Sequence, residues 1–248
     1  MTDSLPDSYH ERRALIPADA VVWRRRVCAG TVSVLPDGCM DLVWLDGRLV
    51  VAGPDTRAQL GTAREHSTVY GIRFAPGTAP ALLGVPAYEL LDRRAELSEV
   101  WSSRRARAMT DLVSAAPDPL RGLEDVARRC AEATVPPDPV LALIVRRLDA
   151  GDSVAATADA LGLGARRLHR LSVAAFGYGP KLLARVLRMR RALELARSDI
   201  GLADTAVLAG YADQAHMSRD IRALTGRSPG GVIGGRAPTG AEDQLSGA

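Results

Sequence analysis

From Val140 onward the chain is patterned for helix almost throughout. Apolar residues at 140, 141, 143, 144, 145 and 148 make a broad stripe at the α-helical period, with Pro139 placed for the first turn. The same reading predicts helices at 153–161, ending at Gly162, and at 165–175, ending at Gly177. A long helix follows at 180–196, then two more at 203–209 and 214–224, closed by Gly210 and Gly226. Ahead of residue 79 the pattern is that of strands. Residues 31–35 are β-branched, 40–45 and 48–52 flank the two-residue hairpin signal Asp46-Gly47, and 67–74 supply a further strand. Helical spacing begins near Ala79, with helices predicted at 103–115 and 120–133.

The helical part carries an imperfect duplication. ATADALGLGARRLHRLSVAAFGYGP is echoed by DTAVLAGYADQAHMSRDIRALTGRSP: Ala158 and Gly162 recur as Ala206 and Gly210, 48 residues later. Leu168, Arg170, Gly177 and Pro180 recur as Met217, Arg219, Gly226 and Pro229, 49 residues later, the slip falling in the loop after the turn glycine. Each copy meets the requirements of a helix-turn-helix. A small residue lets two helices cross closely, and a glycine four positions on ends the first helix at positive φ. The second helix then buries its apolar side (Leu168 and Leu171; Met217 and Ile221) and frees its N-terminal polar side chains for a major groove.

These residues resemble the AraC/XylS family of transcription regulators over about 155–232, most strongly in GYADQAHMSRDIRALTGRSP with Gly210, Tyr211, His216, Arg219, Gly226, Ser228 and Pro229. Met217 and Ile221 stand where that family usually has phenylalanine, and Ser172 where it usually has a large apolar residue. LPDGCMDLVW, AGPDTRA and YGIRFAPGTAPALLGVPAYELLDR, between residues 35 and 93, resemble a small sensor-like domain found ahead of such modules, for which no ligand is generally assigned. The implied fold class is α+β: a β-containing sensor-like domain at 1–102, a helical linker at 103–137, an all-α DNA-binding domain with two helix-turn-helix units at 138–236, and a disordered tail at 237–248. Pro136-Pro137-Asp138-Pro139 marks a stiff connector before the DNA-binding part.

Charge changes the picture modestly. Residues 138–236 hold 15 Lys and Arg against 9 Asp and Glu, while the remainder holds 17 against 20. A basic module behind a slightly acidic one suits a polyanionic partner, although arginine is favoured throughout and Lys181 is the sole lysine. The first residues are polar, without a signal-peptide core, and no run of about 18 apolar residues suggests a membrane span. Three cysteines are too few for a disulfide framework, which points to the cytoplasm.

The resemblance places base reading in the first unit on Arg166, His169 and Arg170, which share a helix face at i, i+3 and i+4. Arginine forks suit guanine, and imidazole can donate to a base edge. In the second unit it points to Gln214, His216 and Arg219, with Ala215 offered to a thymine methyl. A solvated basic face would show the same spacing, and His216 has the alternative of packing locally. For an effector the candidates are Cys39, Asp41, Trp44, Tyr70 and Arg73: apolar walls from Trp44 and Tyr70, polar anchors from Asp41 and Arg73. Cys39 is a redox or alkylation sensor or an inert core residue; Asp37 and Asp41 beside it disfavour a thiolate. The four histidines have no metal-ligand spacing, and no phosphate loop, nucleophile elbow or acid/base pair is present.

The reading is therefore a bacterial, effector-responsive regulator rather than an enzyme, with no cofactor and no metal. Its expected partners are double-stranded DNA, a small-molecule effector, RNA polymerase and a second copy in a homodimer. The competing class is a DNA-repair or small-molecule-binding protein that uses the helical module as an accessory.

Overall fold

The computed structural model describes residues 8–16, 19–27, 30–63, 67–198 and 200–234; the tail expected at 237–248 lies outside them. Six strands form one antiparallel sheet: β1 (Ser8–Arg13), β2 (Ala20–Val27), β4 (Met40–Leu45), β5 (Arg48–Ala52), β7 (Ser67–Phe74) and β8 (Arg94–Glu96), in the order β1-β2-β7-β4-β5-β8. β3 (Gly30–Val34) and β6 (Gln59–Ala63) pair separately. The β4–β5 hairpin turns on Asp46 and Gly47, with φ of 47° and 78°, the two positive values that a type I′ turn demands.

Strand alternation gives the large sheet two different faces. Met40, Leu42, Leu49, Val51, Ile72 and Phe74 pack on one side against α1 (Ala79–Leu83), α3 (Ser103–Ser114) and α4 (Pro119–Glu132). A short helix α2 (Leu97–Val100) leads into them. The stretch 103–137, read from sequence as a helical linker, thus contributes Ala106, Val113, Leu123 and Val126 to the core of the sheet. Glu124 of α4 fastens the outer strand: its carboxylate accepts from Arg12 at 2.7 and 3.0 Å and from the Leu15 amide at 2.7 Å. Trp23, Val43, Val50 and Val69 pack on the other side, where the Trp23 indole lies so close to Gly71 that a Cβ there would stand 2.3 Å from the ring.

On that second face Asp41 and Arg73 sit directly across from each other on β4 and β7. Arg73 Nε lies 3.4 Å from Asp41 and 3.5 Å from Asp37, ion contacts that leave both Asp41 oxygens without a hydrogen-bond partner among the described residues. Burial outweighs the neighbouring guanidinium and pushes the Asp41 carboxyl up to about 7, with Asp37 adding to the rise. The Cys39 thiol is raised for the same reasons, burial first and then Asp37, so it is held as a thiol.

The helical part begins at α5 (Pro139–Asp149), continues through α6 (Val154–Ala160), α7 (Ala165–Phe176), α8 (Pro180–Ala196), α9 (Leu202–Leu208) and α10 (Gln214–Thr225), and ends in α11 (Pro229–Gly234). Asp-Pro starts both α4 and α5. Proline takes the first turn, and the preceding Asp118 or Asp138 carboxylate accepts from the second residue's amide at 3.2 or 2.9 Å. The sheet domain docks on this helical part at several close approaches. Gly77 lies where a Cβ would stand 2.9 Å from Phe176 of α7, and the Ala58 amide donates to the Leu224 carbonyl of α10 at 2.7 Å.

Two outcomes follow. Gly177 and Gly226 end α7 and α10 with φ of 81° and 71°, but an added Cβ meets Pro54 at 2.6 Å only at Gly177 and open space at Gly226. Both alanine variants should lose about 1–2 kcal/mol to left-handed strain, and Gly177→Ala clearly more, as read from urea midpoints. Equal losses would disprove the close approach. The second concerns pH. An unfolded aspartate titrates near about 3.9, whereas folded Asp41 holds its proton up to about 7. Its contribution to stability is full below the unfolded value and is lost as pH rises to about 7. Asp41→Asn should flatten that part of the urea-midpoint profile; an unaltered slope would show that Asp41 ionises in the ordinary range.

Candidate nucleic-acid interface

The duplication seen in sequence is a duplication of backbone hydrogen bonds. At the end of α6 the Gly162 amide donates to Asp159 at 3.1 Å and the Leu163 amide to Ala158 at 2.9 Å. At the end of α9 the Gly210 amide donates to Val207 at 3.0 Å and the Tyr211 amide to Ala206 at 2.8 Å. Both are the paired closure that a left-handed glycine permits, with φ of 61° at Gly162 and 82° at Gly210. The residue after each glycine, Leu163 or Tyr211, is buried beneath the turn. This closure sets the angle at which α7 and α10 leave α6 and α9.

α7 buries Leu168, Ser172, Ala175 and Phe176 and turns Arg166, Arg167, His169 and Arg170 to solvent. None of the three arginines has an ion-pair partner among the described residues, so their guanidinium groups are free to meet an acceptor. His169 is exposed but folds back over the turn, its Nε2 3.0 Å from where a Cβ at Gly179 would stand. Ser172, at the position matched by Ile221 in the second copy, is fully buried and its hydroxyl finds no partner in the chain.

α10 is capped by Asp213, whose carboxylate accepts from the His216 amide at 2.6 Å. Gln214, Ala215 and Arg219 are exposed beyond that cap. His216 is half-buried, its ring edge-on to Tyr211 with centroids 5.3 Å apart. Its imidazole is therefore partly committed to packing, unlike Gln214 and Arg219 on the same helix.

Asp220, buried on the inner side of α10, was not visible as a centre in the sequence. It takes Arg185 Nε at 2.8 Å, Arg188 Nη2 at 3.3 Å and the Tyr211 hydroxyl at 3.2 Å. The Arg188 guanidinium also lies over the Tyr211 ring at 4.3 Å. Burial, reinforced by Asp220, raises the Tyr211 phenol to about 12 and keeps its proton available for that bond. Arg185 and Arg188 thus fasten α8 to α10. The only sequence signal was an acidic residue on an otherwise apolar helix face.

The five effector candidates do not form one site. Cys39, Asp41 and Arg73 come together near Asp37, on the sheet face shared with Trp23. Trp44 and Tyr70, opposite each other in the β4–β7 register, pack on the reverse face against the helices. Positions 41 and 44 of one strand differ by an odd step and point to opposite sides, so the expected pocket is divided by the sheet itself. A cavity of about 610 Å³ lies elsewhere, between the sheet domain and α5, and includes none of the five.

Among the described residues no helix is long and apolar enough to cross a membrane. Residues 157–233 match a family model described as a helix-turn-helix domain, and residues 20–96 match a domain of unknown function, DUF6597. No curated protein matches the chain. Among solved structures, a probable AraC family transcriptional regulator from Rhodopseudomonas palustris CGA009 is 19% identical, covering 41% of this chain and 100% of its own, with a TM-score of 0.34. ToxT from Vibrio cholerae O395 is 8% identical over 94% of this chain and 98% of its own, with a TM-score of 0.44. Unsaturated fatty acid bound wild-type ToxT from Vibrio cholerae strain SCE256 is 10% identical over 92% and 91%, with a TM-score of 0.43. The chain carries a helix-turn-helix domain at residues 157–233 behind a DUF6597 domain at residues 20–96.

Proposed function

We propose that the protein is a sequence-specific regulator that sets its two helix-turn-helix units into adjacent major-groove segments of one duplex face. The observation that carries this is the matched pair of glycine closures, each presenting a helix whose exposed arginines have no ion pair among the described residues. Their connecting helix α8 has 17 residues, a rise of about 25 Å, of the order of the about 34 Å between successive major-groove segments. Arg166 and Arg170 read bases in the first unit and Gln214 and Arg219 in the second. His169 and His216 contribute from positions that also pack against the protein, and Ala215 offers a methyl contact. Residues 138–236 form the DNA-binding part, and the sheet domain modulates it. The contacts of Pro54 at Gly177 and Ala58 at Leu224 support that link, because they reach the ends of both reading helices.

Selection of bound sites from a random duplex pool should return one preferred sequence with two half-sites. On that sequence Arg166→Ala and Arg170→Ala should each cost about 1–3 kcal/mol and relax the base at one position. Equal weakening on every sequence would overturn their assignment as readers. Arg188→Ala should instead lower the melting temperature, because Asp220 and Tyr211 lose a partner while remaining buried. An unchanged melting temperature with uniformly weaker DNA binding would instead assign Arg188 to the phosphate backbone.

A further inference from the structure

We propose that the cleft between the sheet domain and α5 binds an uncharged, largely apolar small molecule. This inference rests on the regulator reading and supplies it with the place and chemistry of an effector. The cavity measures about 610 Å³, within the range of about 300–1,000 Å³ that suits a single organic ligand. One wall is Pro76, Leu82 and Ala131 from the sheet domain; the other is Pro137, Leu141 and Val145 from the connector and α5.

The lining fixes the ligand's chemistry. Ordered water needs two to four polar partners, and these walls are carbon over most of their area, so apolar matter is the better occupant. The rim carries Asp19, Glu132 and Asp138 against Arg146 and Arg190. Arg190 is already paired with Asp149 at 3.3 Å and faces Glu194 at 3.7 Å, and the Asp138 carboxylate caps α5. What remains is Arg146 against Asp19 and Glu132, none of them in an ion pair among the described residues, a rim of net negative charge that disfavours an anion. The walls are also stiff, since three prolines at 136, 137 and 139 restrict the connector.

Its position joins two cores. Leu82 belongs to the core beneath the sheet, while Leu141 and Val145 pack against the core of the first helix-turn-helix unit with Ile144, Leu148 and Phe176. Gly77, on the sheet side, touches both Phe176 and Leu141 because it has no side chain to keep them away. A molecule seated here bears on the sheet domain and on α5 together. Its binding energy is available only while they stay docked, which is the condition for shifting an equilibrium between docked and undocked forms.

The test uses the full chain and two fluorescent probes with a common arylaminonaphthalene skeleton, uncharged N-phenyl-1-naphthylamine and its sulfonated relative 8-anilinonaphthalene-1-sulfonate. The uncharged probe should bind saturably, one per chain, and at least tenfold tighter than the sulfonate. Ala142→Trp, at the exposed edge of the cavity, should weaken it at least tenfold, and Ala131→Trp should do so from the opposite wall. Ala174→Trp on exposed α7 serves as the control and should leave binding unchanged. Melting curves of each variant separate a filled cavity from a lost fold. Tighter binding of the sulfonate, no saturable binding, or equal affinity in a folded Ala142→Trp variant would each overturn the proposal. A band shift on the same samples keeps the two readings apart: probe binding without any DNA binding would refute the regulator and leave the cavity standing.

Discussion

The two helix-turn-helix units depend on one helix that is buried on two sides. Leu183 and Leu187 of α8 belong to the core of the first unit, and Val186, Met189, Ala192 and Leu193 to that of the second. At about 100° per residue these sets form two stripes on one cylinder. Neither unit can rotate about α8 without exposing its own core. A helix buried on one side alone would hold one unit and let the other swing. Here the orientation of α7 relative to α10 is a property of a single rigid body, and the ion cluster at Asp220 adds a polar lock where α8 meets α10.

The sheet domain is attached to this body unevenly. It lies on the end of α7 through Pro54 and Ala87 around Gly177, and it adds Leu91 to the first unit's core. The second unit receives Leu35 and Ala58 against its core and the hydrogen bond from the Ala58 amide to the Leu224 carbonyl. The two copies have therefore diverged in surroundings more than in backbone. They share turn geometry, but only the first has its helix end enclosed. The same first unit carries the buried, unpartnered Ser172 hydroxyl where the second has Ile221.

The helical half was legible because each element announces its own ends. Asp-Pro begins α5, glycine closes four of the helices, and the 48- and 49-residue offsets tie the copies together. The small helix α11 escaped notice because Gly230 and Gly231 carry no helical signal, yet Val232 anchors it. The sheet was harder. β2 buries Val22 on one face and Trp23 on the other, which erases the alternation expected of a half-buried strand, and β1 is an edge strand of polar residues. The division of the effector candidates was in principle readable from the parity of 41 and 44. The role of Asp220 was not, since its partners Arg185 and Arg188 lie 35 and 32 positions away on another helix. The cavity is likewise invisible in sequence, because its walls come from segments far apart along the chain.

The internal pairing of arginines bears on how tightly the protein is governed by ionic strength. Arg147 is matched with Asp152, Arg185 and Arg188 with Asp220, and Arg190 and Arg191 with Asp149. Five guanidinium groups thus share three carboxylates, which lowers their net positive charge without cancelling it. Counterion release supplies most of the affinity a basic protein has for arbitrary DNA. With these five arginines partly offset, the helical part offers a polyanion less free positive charge than its arginine count implies. The guanidinium groups left outward on α7 and α10 are those without such partners among the described residues.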